Sequence, residues 1–130
     1  MKTMYGETLS LKQFGVEEPK EHDDFLARYI EIVKANISNP ELDVSVIYEA
    51  LGMSRTNFYR KVKTVTGLSP IELIKNIRLE AGAKLLKESD MNVSEIAQHI
   101  GFSSRSYFAR SFKAVYGMSP TEYQETESQN

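Results

Sequence analysis

The sequence predicts an all-α protein of about seven helices: two lobes, each a bundle of three helices containing a short helix, a tight turn and a second helix, joined by one long helix. Three observations predict it. The block Ser54–Glu72 recurs without a gap as Ser104–Glu122, an offset of 50 residues with ten identities. Apolar side chains recur at i, i+4 and i+7 in the first copy (Phe58, Val62, Val65) and the second (Phe108, Phe112, Val115), the spacing of a helix with one buried stripe. Each copy ends in a Ser-Pro-X-Glu helix-start signal, Ser69–Glu72 and Ser119–Glu122, with Pro at the first helical position and a capping-box Glu.

Taken in order, residues 1–20 read as a linker or the end of an upstream domain. Phe25, Leu26, Tyr29, Ile32, Val33 and Ile37 then form an amphipathic helix that closes a first lobe over 21–67. Within it, Val44–Met53 aligns at an offset of 49 with Val93–Phe102. Each of these segments reads as a short helix, capped by Ser45 or Ser94 and ended by a glycine, Gly52 or Gly101, that can take positive φ. Where the second copy has Ala97, a small residue that lets helices approach, the first has Tyr48, which must open the packing or turn its ring outward. A second helix follows each turn, with Ser104 as the cap in the second copy. The long helix expected over 69–88 carries Ile71, Ile74, Ile77, Arg78, Leu79, Ala81, Leu85 and Leu86 and spans roughly 30 Å. Gly82 weakens it by about 1 kcal/mol relative to Ala unless a neighbour packs tightly against it. A second lobe over 92–127 ends in a short helix after Ser119, and the polar tail past Thr126 frays.

Composition sets limits on function. The chain has 130 residues, 41% of them apolar, enough for a core, and no Cys, which excludes disulfide scaffolds, thiol enzymes and Cys-ligated zinc fingers. It offers no bilayer-length apolar stretch, no Gly-rich phosphate loop and no nucleophile with a base at motif spacing, so neither membrane contact nor catalysis is expected. His22 and His99 stand alone, without a ligand at i+3 or i+4, so no metal and no cofactor are expected. The net charge of -2 hides a segregation: five basic and ten acidic residues in 1–50, eleven and eight in 51–130. Arg55, Arg60, Lys61 and Lys63 lie in one acid-free stretch, and Arg105, Arg110 and Lys113 in another, which points to a polyanion.

The pattern resembles the DNA-binding domain of the AraC/XylS family of bacterial transcription regulators over about residues 22–125. The motifs that carry the resemblance are Leu51–Arg55, Arg78-Leu79 with Leu85-Leu86, Val93–Ala97, Gly101-Phe102, and Tyr107–Lys113 closing in Tyr116–Pro120. Tyr48 and Gly82 depart from it, both where the family usually has Ala. The acidic run before Phe25 and the wording of Ser54–Lys63 are similar to the C-terminal output domains of response regulators and hybrid two-component sensors. The resemblance implies homeodomain-like lobes, a cytoplasmic transcription factor, double-stranded DNA and RNA polymerase as partners, and a receiver or sensor domain upstream. The competing reading is a helical protein-interaction module that docks on polymerase or a partner regulator.

A helix-turn-helix enters the major groove by the N-terminus of its second helix, so residues early in that helix and off its buried stripe meet base edges. Those expected to read bases are Arg55, Thr56, Tyr59 and Arg60 in one lobe and Arg105, Ser106, Ala109 and Arg110 in the other, positions to which the resemblance also assigns base contacts. Arg60 and Arg110 lead, because a guanidinium grips guanine O6 and N7 as a fork. Lys63 and Lys113, further along, are expected on phosphate, with the helix starts at Ser45, Ser69, Ser94 and Ser119. The unlike pairs Thr56 and Ser106, Tyr59 and Ala109, and Lys61 and Ser111 imply that the lobes read different bases.

Overall fold

The computed structural model describes residues 20–126, so nearly all of the linker expected over 1–20, and the tail beyond Thr126, lie outside the described residues. Helix α1 runs Lys20–Ala35, α2 Val44–Ala50, α3 Arg55–Thr66, α4 Pro70–Glu88, α5 Val93–His99, α6 Arg105–Tyr116 and α7 Pro120–Glu125. No strand occurs among the described residues, so the expected class and helix order are those found. The chain forms two compact units, one of residues 20–36 and 42–77, the other of 37–41 and 78–126. Helix α4, expected as the joining helix, thus begins in the first and ends in the second.

In the first unit α2 packs between α1 and α3. Phe58 is wholly buried and gathers an aromatic cluster: Tyr29 stacks on it at 5.6 Å and Phe25 meets it edge-on at 6.3 Å. Tyr48 does not turn its ring away: half-buried, it leans on Phe58 at 5.6 Å. The Tyr29 hydroxyl donates to the Pro70 carbonyl at 2.9 Å, and burial, helped by the charge of Tyr59, pushes its pKa far above the ordinary tyrosine value, so it remains a donor. The face of α1 is shifted from expectation. The helix stops at Ala35, which leaves Ile37 outside it, and Ile30 rather than Ile32 is in the core.

In the second unit α6 packs on α5 and α7. Phe108 and Phe112 are wholly buried, and Tyr116 stacks on Phe112 with centroids 4.3 Å apart. That ring takes the place expected of Val115, which is 55% exposed, and Ser111 completes the buried face. Along α4, Ile71 is likewise 66% exposed, because Leu73 turns inward in the first turns instead.

Two contacts fix how the second unit closes. A Cβ on Gly82 would stand 2.9 Å from Ile100 Cδ1 and 3.2 Å from the Phe108 ring, so the backbone of α4 is pressed against both. Arg78, 6% exposed, donates from Nη1 to the Gly101 carbonyl at 2.6 Å and from Nη2 to the Asn39 carbonyl at 2.7 Å, binding 37–41 into this unit. Burial lowers its pKa, but an Arg begins so far above neutrality that it stays charged.

Serine caps α3 through Ser54 and α6 through Ser104, as their spacing predicts. Ser45 and Ser94 do not cap. Asp43 caps α2 and Asn92 caps α5, the latter in a box with Glu95; both are as good at this as Ser, and they leave Val44 and Val93 free to open the helices facing inward. Ser69 with Glu72 and Ser119 with Glu122 form reciprocal boxes at the starts of α4 and α7.

These arrangements predict four outcomes. Gly52 and Gly101 both have positive φ, but a Cβ at Gly52 meets open space, whereas at Gly101 it would sit 2.0 Å from Arg78 Nη1 and 2.4 Å from the Ile37 carbonyl. In urea unfolding, Gly52→Ala should cost about 1–2 kcal/mol, the strain of a left-handed residue. Gly101→Ala should cost roughly 3 kcal/mol or more, adding broken buried hydrogen bonds. Helix propensity alone favours Gly82→Ala by about 1 kcal/mol; the wholly buried neighbours reverse the sign, and a net loss of about 1–2 kcal/mol is expected from overpacking. The amide of Ser69, and likewise that of Ser119, hydrogen-bonds the box carboxylate and holds its pKa below the usual 4.5. A depressed folded value gives stability that is full above 4.5 and lost as pH falls through the lower value. A Glu72→Gln, Glu122→Gln protein should therefore lose less stability than wild type on acidification across that window.

Candidate nucleic-acid interface

The serine caps set the first turns of α3 and α6, and the buried phenylalanines set their rotation. With Phe58 turned inward, Arg55, Thr56, Asn57 and Arg60 are exposed and Tyr59 is half-buried. With Phe108 inward, Arg105, Ser106, Tyr107 and Arg110 are exposed and Ala109 is half-buried. Each helix therefore brings its expected base readers together around its N-terminal half. No acid among the described residues pairs with Arg55, Arg60, Arg105 or Arg110, so the guanidiniums are not neutralised within their own lobe.

The two helices hold matching arginines differently. On α3 the Arg55 guanidinium lies 4.6 Å above the Tyr59 ring, one turn along its own helix. On α6, where Ala109 replaces that ring, Arg105 Nη1 instead donates back to Ser94 Oγ on α5 at 3.2 Å. Arg60 Nη1 donates to Asn57 Oδ1 at 3.1 Å. Lys63 and Lys113 are both exposed, and Lys63 also donates from Nζ to the Gly67 carbonyl at 3.0 Å. Lys61 is half-buried with its ammonium over the Phe25 ring at 4.9 Å, and its counterpart Ser111 is buried.

Helix ends supply a signal that motif reading missed. The four starts expected to meet phosphate through Ser45, Ser69, Ser94 and Ser119 each carry a carboxylate that accepts backbone hydrogen bonds: Asp43, Glu72, Glu95 and Glu122. The Ser45 amide is itself engaged by Asp43. Of the helices α2 to α7, only α3 and α6 combine a neutral serine cap with a first turn free of acid. Their positive dipole ends face outward uncompensated, in the turns that carry the exposed arginines. The pattern was readable from the spacing of Asp and Glu behind each cap.

Among the described residues no three His, Cys, Asp or Glu side chains gather as a metal site, and no helix is long and apolar enough to cross a membrane.

The same fold occurs in known proteins. The helix-turn-helix domain family matches residues 47–126. Histidine kinase P4 of Formosa agariphila is 35% identical over 107 residues, 82% of this chain but 8% of the kinase. The chain spans about a third of the helix-turn-helix transcriptional regulators it matches. Among solved structures, the C-terminal domain of AraT, a response regulator from Geobacillus stearothermophilus, is similar at a TM-score of 0.69 and 29% identity, over 82% of this chain and 88% of that one. The DNA-binding domain of the global transcription factor AdpA, solved with a target DNA, is similar at a TM-score of 0.64 and 28% identity, over 73% and 88%.

Proposed function

Since the chain belongs to the AraC-type helix-turn-helix family, a DNA-binding domain of transcription regulators and not an enzyme, we propose that it reads a promoter with α3 in one major groove and α6 in the next. The observation that carries this reading is the repeated pairing of an acid-free, serine-capped helix start with exposed arginines. Arg55, Thr56, Tyr59 and Arg60 read one element; Arg105, Ser106, Ala109 and Arg110 read a different one. Arg60 and Arg110 supply the main discrimination, about 1–3 kcal/mol for each guanine gripped by a guanidinium fork.

Lys63 and Lys113 bind phosphate and set register without reading sequence. Carboxylates at the starts of α2, α4, α5 and α7 make Ser45, Ser69, Ser94 and Ser119 weaker phosphate contacts, and the amides of Ser45, Ser69 and Ser119 are already bonded to them. The module acts in the cytoplasm, on RNA polymerase at the promoter, as the output end of a longer signalling protein with a receiver or sensor domain upstream. The likeness to a response regulator's C-terminal domain and to a small part of a histidine kinase supports that last step.

Selection of bound duplexes from a random pool tests the proposal. Wild type should enrich two unlike elements about 10 base pairs apart, and Arg60→Ala, Arg110→Ala should relax a base in each. Lys63→Ala and Lys113→Ala should each weaken binding evenly across sequences and reduce the log-log salt slope by about 1. Enrichment of no sequence, or binding indifferent to salt, would turn the reading toward a protein partner.

A further inference from the structure

We propose that Asn57 is a positioning residue for Arg60, and that the first lobe therefore discriminates at its arginine's base more sharply than the second; this rests on the two-groove reading above. On the exposed face of α3, Asn57 Oδ1 accepts from Arg60 Nη1 at 3.1 Å, one turn back toward the end of the helix that leads into the groove. The Asn57 amide is already bonded to Ser54 Oγ at 3.2 Å, so the cap is complete without the Asn57 side chain. Asn is a weak helix former, and nothing else in the helix start calls for it. The bond occupies one of the five guanidinium N–H donors and leaves the rest for a guanine edge. A guanidinium on a flexible stem must give up rotamer freedom to grip a base; one already tethered gives up less.

The second lobe lacks this tether. The gapless correspondence puts Tyr107 at the place of Asn57, and its ring lies against Phe102, centroids 5.3 Å apart. Arg110 is exposed, with no hydrogen-bonding or ionic partner among the described residues. The other matching arginines do not separate the lobes in this way, since Arg55 rests on Tyr59 and Arg105 on Ser94. The difference in kind falls on Arg60 and Arg110.

The test is equilibrium binding of the full chain to the duplex that wild type selects and to its single-base variants, with Asn57→Ala, Arg60→Ala, the double variant and Tyr107→Asn. Asn57→Ala, an exposed change to a better helix former, should lower discrimination roughly two- to tenfold at the same base that Arg60→Ala relaxes, and leave the other element untouched. The double variant should be no worse than Arg60→Ala. Tyr107→Asn should sharpen the preference at the Arg110 base. The proposal is overturned if Asn57→Ala relaxes a different base, weakens all duplexes alike, or adds to Arg60→Ala. If wild type selects a duplex and Asn57→Ala leaves its preference unchanged, the positioning role falls and the two-groove reading stands; if wild type selects none, both fall.

Discussion

Everything exposed on α3 and α6 depends on one ring in each. Phe58 and Phe108 are wholly buried and stand four positions after their serine caps, so they fix the rotation of each helix within its first turn. Val62 and Phe112 extend the same stripe and stop the helix from rolling. Truncating such a ring costs about 3–5 kcal/mol, a large share of what a small domain has. The arginines thus owe the side of the helix from which they leave to side chains that never see solvent.

Electrostatics then separates the helices that share this small molecule. Of the starts of α2 to α7, four are closed by carboxylates, and two are left with their dipole uncompensated. The division explains how a chain with a net charge of -2 can attract a polyanion at all. The acids stabilise the starts of helices other than α3 and α6, and the exposed arginines of those two helices pair with no acid among the described residues. Lys63 and Lys113 add to both sides of this account, since each also lowers the pKa of a box carboxylate, Glu72 or Glu122, to a lesser degree than the serine hydrogen bonds do.

Much of this could be read from the chain alone, and the failures have physical causes. Periodicity and the Ser-Pro-X-Glu signals located all seven helices because helical spacing and cap chemistry are local. Exposure of six of the eight expected base readers followed from the same spacing, with Tyr59 and Ala109 half-buried at the edge of the stripe. What spacing cannot supply is the partner. Val115 has the right period, but Tyr116 stacks on Phe112 and takes its place; Ile71 has the right chemistry, but Leu73 faces the core. Ser45 and Ser94 are good capping residues two positions from equally good ones, and the inward-facing valine decides between them. The carbonyls held by Arg78 lie 23 and 39 residues away, beyond any local pattern.

The two copies have kept one core plan while diverging in how they hold its arginines. Phe58 and Phe108 each sit in an aromatic cluster drawn from their own unit, with Tyr29 and Phe25 around one and Phe102 and Phe112 around the other. A mutation at the exposed Asn57 changes an outward contact without disturbing the cluster behind it, whereas one at Tyr59 also removes an edge-on contact with Phe58 at 5.9 Å. Under the proposed two-groove reading, a change in how one helix holds its arginine leaves the other helix's contacts as they were, so the two halves of a recognised promoter site can change one at a time.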